Sequence, residues 1–182
     1  KKNKKKILSI IKKNKNIKFI EKKIKNYKKI INETKKINID IIFNFAAQAG
    51  VRYAVKNPKS YYHSNVDGFK NFIKFVIYKN PKKFIFASSS SVYGDAKKYP
   101  VKENTKLKPK NLYAKTKKFN EEYAEKKFKN TNIKVIGLRL FTIYGEWGRP
   151  DMLILKFLKL AEQKKQFKLN YKGNLYRDFT YI

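Results

Sequence analysis

The chain has 182 residues, of which 42% are hydrophobic, so it can bury the core of one domain. It contains no cysteine, which excludes disulfides and thiolate metal sites. Its formal net charge of +33 would ordinarily indicate nucleic acid or an anionic membrane as a partner, but all but four of the 46 basic residues are lysines spread along the whole chain, so we expect neither. No apolar run reaches the length of a membrane span, and the basic N-terminus lacks the apolar segment of a signal peptide, which predicts a cytoplasmic protein.

The first half of the chain predicts two strands and two helices after a charged, solvated start at residues 1–6. The segment IKFI, residues 17–20, is a short strand candidate. A sparse apolar period predicts a helix over residues 25–36, and the nearly continuous apolar run over 37–45 predicts a strand buried on both faces. A long helix with an apolar stripe is predicted over residues 57–80.

The second half continues the alternation of strands and helices. Its predicted elements are a strand over 82–89, a helix over 111–130, a strand over 133–141, a loop over 142–151, a helix over 152–165 and a strand over 166–170. Asn111 is a candidate N-cap for the first of these helices. Such alternation is typical of a parallel sheet covered by helices on both faces, so the predicted fold class is α/β.

Two short motifs point to chemistry at a strand end. The strand KFIFA runs into four serines, and Tyr113 is followed by Lys117 one helical turn later. An ammonium about 4–5 Å from the phenolate would stabilise it by roughly 3–4 kcal/mol, or two to three pKa units, which brings a tyrosine toward general-base catalysis. A solvent-facing Lys117 and serines that only satisfy a turn are the structural alternatives. The lone histidine, His63, has no second histidine with which to hold a metal, so we expect no metal site.

The order of five motifs indicates a family. FNFAAQAGVRY, ASSSSVYG, YAKTK, LRLFTIYGEWGRPDM and RDFTYI, within residues 17–182, resemble the NAD-dependent epimerase/dehydratase family of extended short-chain dehydrogenases, and within it the UDP-glucuronate 4-epimerases. The resemblance implies a partial Rossmann-type, doubly wound parallel sheet over residues 1–150, with NAD as cofactor. Residues 151–182 would then begin the substrate-binding region.

The sequence departs from this family in two places. Its first glycine is Gly50, so the first strand and the glycine-rich turn that holds the cofactor pyrophosphate are lacking, and we expect an internal fragment that is inactive alone. Lys23 stands where the family usually has an acidic residue near the adenine.

The resemblance also assigns roles to individual residues. The catalytic group would be Ser89, Tyr113 and Lys117. The NAD contacts would come from Phe45, Ala46, Ala47, Ser64, Asn65, Tyr113 and Lys117. The substrate contacts would come from Ser90, Ser91, Thr142, Arg149 and Arg177. Each assignment has a structural alternative. Asn65 could equally hold its helix in place by internal hydrogen bonds, and the small residues after the predicted strand over 37–45 could serve close packing. The two arginines could form structural ion pairs.

Hydroxyl groups at Ser90 and Ser91 favour one reaction over its relatives. Dehydratases and decarboxylases of the family carry acidic residues there, whereas 4-epimerisation needs only oxidation, rotation of the keto sugar and hydride return. The resemblance therefore implies epimerisation of UDP-glucuronate to UDP-galacturonate through a 4-keto sugar. The alternatives are another nucleotide-sugar epimerase and an inactive basic anion-binding module. A homodimer is one oligomeric state that the resemblance allows.

Overall fold

The computed structural model of the chain describes residues 2–24, 26–96, 98–148, 151–168 and 178–182. It forms two compact units, one of residues 18–140 and the other of residues 1–17 together with 141–182. The predicted domain boundary at residue 150 stays a prediction about the whole protein.

The structure contains helices, strands and short helical turns. They are α1 (Lys2–Lys13), α2 (Tyr27–Glu33), β1 (Ile41–Asn44), α3 (Val51–Lys56), α4 (Pro58–Tyr61), a π-helical turn (Tyr62–Asp67), α5 (Gly68–Lys79), β2 (Lys83–Ala87), a 3-10 turn (Ser90–Tyr93), α6 (Leu112–Phe128), β3 (Lys134–Leu138), β4 (Thr142–Tyr144), α7 (Leu153–Glu162) and β5 (Phe179–Tyr181).

A three-stranded parallel sheet organises the larger unit. Its strand order is β1-β2-β3, and the register aligns Ile42 with Phe84 and Phe84 with Val135. Because successive strands are parallel and joined through helices, the carboxyl ends of all three strands lie at one edge, where open α/β sheets bind ligands.

The apolar core lies on the face of the sheet that carries Phe84. This ring has no exposure and contacts Phe86 and Phe128, each with its ring centroid 5.6 Å away. The core cluster draws its buried members from β1, β2, α5, α6 and the residue before β3: Ile42, Phe69, Phe72, Ile73, Phe75, Val76, Phe84, Phe86, Ala124, Phe128 and Ile133. Helices α5 and α6 therefore cover this face.

The opposite face of β1 is exposed, which corrects one prediction. Ile41 is 43% exposed and Phe43 is 56% exposed, although the apolar run predicted a strand buried on both faces. The pattern identified a strand correctly, but a continuous apolar run cannot say which neighbours cover it.

Gly137 in β3 is required by the packing of the sheet. A Cβ built at this position would lie 2.8 Å from the Phe86 ring, closer than real side-chain contacts allow. Phe86 is itself buried and packs edge-on against Phe69 at 5.2 Å, so it has no room to withdraw.

Most of the predicted elements are confirmed, and three local predictions are wrong. Residues 17–20 form no strand. Helix α1 at the start of the chain was not predicted, although Lys6 is exposed, as expected of a solvated start. The predicted loop over 142–151 contains strand β4, and residues 166–168 are not in a strand, while 169–170 lie outside the described residues. Helix α3, the 3-10 turn and β5 were not predicted.

The smaller unit contains α1, α7 and a parallel pair of strands, β4 and β5. Tyr144 on β4 packs edge-on against Tyr181 on β5, with ring centroids 5.4 Å apart. Across the part of the chain that the structure describes, no helix has both the length and the apolar character needed to cross a membrane.

Candidate active site

Helix α6 carries Tyr113 and Lys117 on one face, as the sequence predicts. The side chain of Asn111 caps the helix by accepting a hydrogen bond from the Ala114 amide at 2.9 Å, which confirms the predicted N-cap. Tyr113 and Lys117 follow at the first turns of the helix, four residues apart, so their side chains project in the same direction.

Lys117 is buried at the carboxyl end of β2. The residue is only 3% exposed, and its Nζ donates a hydrogen bond to the Ala87 carbonyl at 2.6 Å. The same nitrogen lies 5.9 Å from the centroid of the Tyr113 ring. This placement rules out the structural alternative of a solvent-facing lysine, because the amine is fixed between the helix and the end of the strand.

Burial lowers the pKa of Lys117 to about 8. The cause is desolvation, since removing an ammonium from water disfavours its charged form. The amine is still mostly protonated at pH 7. A positive charge beside the Tyr113 ring would favour a negative charge on its phenolic oxygen.

Residues 88–93, which we call the hydroxyl turn, follow directly on β2. Ser89 is 8% exposed and caps the 3-10 turn, because its Oγ accepts from the Ser91 amide at 3.2 Å and donates to the Ser91 Oγ at 3.2 Å. The turn ends at Gly94, whose φ of 68° lies in the left-handed region and whose Cβ would collide with the Lys108 carbonyl. Ser89 thus lies two residues after the carbonyl that holds Lys117.

Ser88 and Tyr93, at the two ends of the hydroxyl turn, form a hydrogen-bonded cluster with Glu121 and Arg139. Ser88 Oγ donates to Glu121 Oε1, and Arg139 donates to both oxygens of the same carboxylate. No functional role was predicted from the sequence for these four residues. A signal for Arg139 was present, since it is one of four arginines in a chain whose other basic residues are lysines.

Asn65 ties the loop after β1 to α6. Its side chain is 1% exposed; Oδ1 accepts from the Gln48 amide at 2.8 Å, and Nδ2 donates to the Gln48 carbonyl at 3.0 Å and to Thr116 Oγ1 at 3.1 Å. Both amide protons are therefore used inside the chain, as in the internal tie that sequence analysis left open. The buried Asn65 lies in the π-helical turn, and its neighbour Ser64 is exposed.

The remaining predicted contacts fall in several places. Phe45, Ala46 and Ala47 are exposed in the loop directly after β1, at the edge where the carboxyl ends of the strands lie. Ser90 and Ser91 are half-buried in the hydroxyl turn.

The other predicted substrate residues lie in the smaller unit or outside the described residues. Thr142 is half-buried in β4 of the smaller unit, where its amide donates to the Asp178 carbonyl at 3.2 Å. Arg149 and Arg177 lie outside the described residues.

A parallel α/β sheet, with a Tyr-x-x-x-Lys helix packed against the carboxyl end of its middle strand, has the architecture of the Rossmann-type enzymes. The profile of the NAD dependent epimerase/dehydratase family matches residues 1–182, and the chain belongs to this family. The predicted family and the predicted Rossmann-type α/β fold are therefore confirmed.

The chain is similar to several named proteins. The chain is 40% identical to the protein CapI of Staphylococcus aureus over 92% of its own length and 50% of CapI, and 46% identical to UDP-glucuronate 4-epimerase 4 of Arabidopsis thaliana over 78% of its own length and 33% of the relative. Among solved structures, the UDP-glucuronic acid 4-epimerase of Bacillus cereus in complex with UDP-glucuronic acid and NAD superimposes with a TM-score of 0.88 at 30% identity, covering 99% of this chain and 56% of that one. The chain thus spans about half the length of these relatives or less.

The described residues fit the NAD on which this family depends. Lys117 Nζ carries three N–H groups and uses one on the Ala87 carbonyl, and within the described part of the chain it donates to no second acceptor. A buried ammonium with donors to spare suits the neighbouring hydroxyls of a ribose. The small side chains of Ala46 and Ala47, exposed at the same sheet edge, leave the backbone accessible for close approach.

Proposed function

We propose that the protein carrying this chain is an NAD-dependent nucleotide-sugar epimerase that inverts C4 of UDP-glucuronate to give UDP-galacturonate. Membership of the epimerase/dehydratase family supports the reaction class, and the likeness to UDP-glucuronate 4-epimerases supports the substrate.

The observation that carries the proposal is the position of Lys117. Its buried amine is hydrogen-bonded to the end of β2, two residues before Ser89 and on the same helix face as Tyr113. The segment after β2 thereby contributes the Ser89 hydroxyl, and α6 contributes the Tyr113 phenol and the Lys117 ammonium. Both segments adjoin the edge of the sheet where such folds bind ligands.

The residues have complementary roles in the proposed reaction. Tyr113 removes the proton of the sugar C4 hydroxyl, Lys117 stabilises the resulting phenolate charge, and Ser89 hydrogen-bonds the reacting oxygen. The chemistry that NAD supplies when bound is the reversible acceptance of the C4 hydride. After the keto sugar rotates, Tyr113 returns the proton as C4 is reduced on its other face, so no external oxidant is consumed.

The proposed contacts to NAD and to the rest of the UDP-sugar come from the residues that the family resemblance assigns to them. Phe45, Ala46, Ala47 and Ser64 would face NAD, and Asn65 would support them by holding the loop that follows β1. Ser90, Ser91, Thr142, Arg149 and Arg177 would bind the UDP-sugar. The hydroxyl groups of Ser90 and Ser91 supply no carboxylic acid to expel water, which favours epimerisation over dehydration. The cytoplasmic location and the homodimer stay predictions.

The direct test follows the product and its hydrogen. The complete protein should convert UDP-glucuronate to its C4 epimer in D2O, as seen by proton NMR. No deuterium should enter C4, because the hydride is removed and returned internally, and none should enter C5, because the proposed reaction breaks no C–H bond there. UDP-glucose and UDP-N-acetylglucosamine at equal concentration should react at least about 10-fold more slowly, as expected when a site built for a charged group meets a substrate lacking it. Deuterium at C5, or no C4 epimer from any of the three, would contradict the proposal.

The net charge of +33 favours one alternative, a basic module that binds polyanions without catalysis. Lysine-driven binding weakens steeply with salt because it releases counterions. Titration with a DNA oligonucleotide and with UDP-glucuronate at 50 and 200 mM salt separates the two. The epimerase proposal expects sugar-nucleotide binding to change much less than DNA binding over this range.

A further inference from the structure

Glu121 lies on the same stripe of α6 as the proposed catalytic pair. It follows Lys117 by four residues, and Lys117 follows Tyr113 by four, so the three side chains succeed one another along the helix. The Glu121 side chain is only 16% exposed. The proposed reaction gives this acidic group no direct part, and its burial requires a partner.

Arg139, directly after β3, is that partner. Its Nη2 lies 2.8 Å from Glu121 Oε2, and its Nε lies 3.1 Å from Oε1. Its Nη1 donates to the Tyr93 hydroxyl at 3.0 Å and to the Glu103 carbonyl at 2.6 Å. Four of the five guanidinium N–H groups are thus used, a geometry that lysine cannot reproduce.

The same cluster holds the hydroxyl turn at both of its ends. At the first end, Ser88 donates its hydroxyl to Glu121 and its amide to the Leu138 carbonyl at 2.8 Å. At the far end, the Arg139 guanidinium lies over the Tyr93 ring, 4.9 Å from its centroid. The Ser90 amide donates to the Leu140 carbonyl at 2.9 Å between them. The residues on either side of Ser89 are therefore both fixed by hydrogen bonds. Ser88 bonds Glu121 and Leu138, and Ser90 bonds Leu140, where Leu138 and Leu140 are the chain neighbours of Arg139.

The carboxylate also fixes which way one hydroxyl proton points. Because Ser88 Oγ donates to Glu121, that proton is not available to Ser89, whose own hydroxyl donates to Ser91 Oγ. The hydrogen bond to Glu121 raises the pKa of Arg139, so the guanidinium keeps its charge.

We propose that Glu121 and Arg139 are a pair of positioning residues that hold the hydroxyl turn against α6 and so fix Ser89 relative to Tyr113. This inference rests on the proposed epimerase function. The pair touches neither substrate nor cofactor in this scheme, and it acts through the hydroxyl turn alone.

Glu121→Gln and Arg139→Lys in the complete protein test the pair. Gln keeps the shape of Glu121 without its charge, and Lys keeps the charge of Arg139 without its fork. Glu122→Gln is the matched control, because Glu122 neighbours Glu121 on α6 but is exposed, and among the described residues its ion pair is with Lys118 at 3.5 Å. We expect both variants to lower kcat by about 10-fold to 100-fold while KM changes less than about 3-fold, as misplacement of a reacting group does, and the double variant to be no worse than the poorer single one.

A second readout does not depend on activity. In spectra of protein labelled with 15N-serine, both variants should shift the amide signals of Ser89 and Ser91, and Glu122→Gln should leave them in place. Unmoved signals in folded Glu121→Gln and Arg139→Lys would overturn the proposal, as would shifted signals with unchanged kcat. If the wild-type protein epimerises no sugar, the proposed function fails, and the positioning of Ser89 for that reaction fails with it even where the signals move.

Discussion

At the scale of single residues, the protein buries a lysine, Lys117, so that only 3% of it is exposed. Lys117 is held by one carbonyl, that of Ala87, and its pKa falls to about 8 because the site is desolvated. The burial of a charge destabilises the folded state, and such a placement is typical of functional sites.

The lowered pKa predicts how stability depends on pH. The unfolded chain binds the Lys117 proton with a pKa near 10.5 and the folded chain with a pKa of about 8, so between these values the unfolded state holds more protons and the free energy of unfolding rises with pH. From pH 7 to pH 9 the rise due to Lys117 is about 1 kcal/mol. Urea denaturation at the two pH values should show this extra rise in the wild type and not in Lys117→Met.

The control for this experiment is Lys115→Met on the same helix. Lys115 is exposed, so its removal should leave the extra rise intact. Equal pH dependence in the wild type and Lys117→Met would show that the Lys117 amine is not desolvated in the folded protein.

At the scale of elements, the sequence predicted what depends on local pattern. Helix α6, its Asn111 cap and the strand before the four serines could be predicted, because periodicity and capping act over a few residues. The hydrogen bond from Lys117 to Ala87 and the Glu121–Arg139 pair join residues that are distant in sequence, so no local pattern contains them. The exposed face of β1 was missed for the same reason. Helix α1 was predictable in principle, since Ile7 and Ile11 are four residues apart, but the surrounding lysines obscured the pattern.

The packing of β3 against β2 gives a prediction at this scale. Gly137→Ala places a Cβ 2.8 Å from the buried Phe86 ring, so the free energy of unfolding should fall by about 1–3 kcal/mol, as overpacking does. Chemical denaturation of the 182-residue chain measures it.

A second glycine provides the comparison for Gly137. Gly68 begins α5 with helical backbone angles, and a Cβ there would meet its nearest atom at an ordinary 3.5 Å. Gly68→Ala should therefore be neutral or stabilise by up to about 1 kcal/mol. A loss of stability at Gly68 as large as at Gly137 would mean that the Phe86 contact is not the cause.

At the scale of the whole molecule, the chain combines half of a family fold with a large positive charge. It matches its family along all 182 residues, yet it spans about half the length of its relatives or less. Its first glycine is Gly50, so the 182 residues supply no glycine-rich turn for a pyrophosphate.

This composition predicts the behaviour of the 182-residue chain by itself. Incubated with NAD and UDP-glucuronate, it should form UDP-galacturonate no faster than its own Tyr113→Phe variant, as measured by chromatography of the products. Turnover clearly above that variant would show that the residues present here suffice for cofactor binding and catalysis.

The most direct test of the central claim is the effect of Tyr113→Phe on epimerisation by the complete protein. The change removes only the phenolic oxygen, so folding, NAD content and KM for UDP-glucuronate should stay close to the wild type. Loss of a positioned general base should lower kcat by about 10²-fold to 10⁴-fold. A kcat within about 3-fold of the wild type, at equal NAD content, would contradict the assignment of Tyr113 as the base and with it the site described at the end of β2.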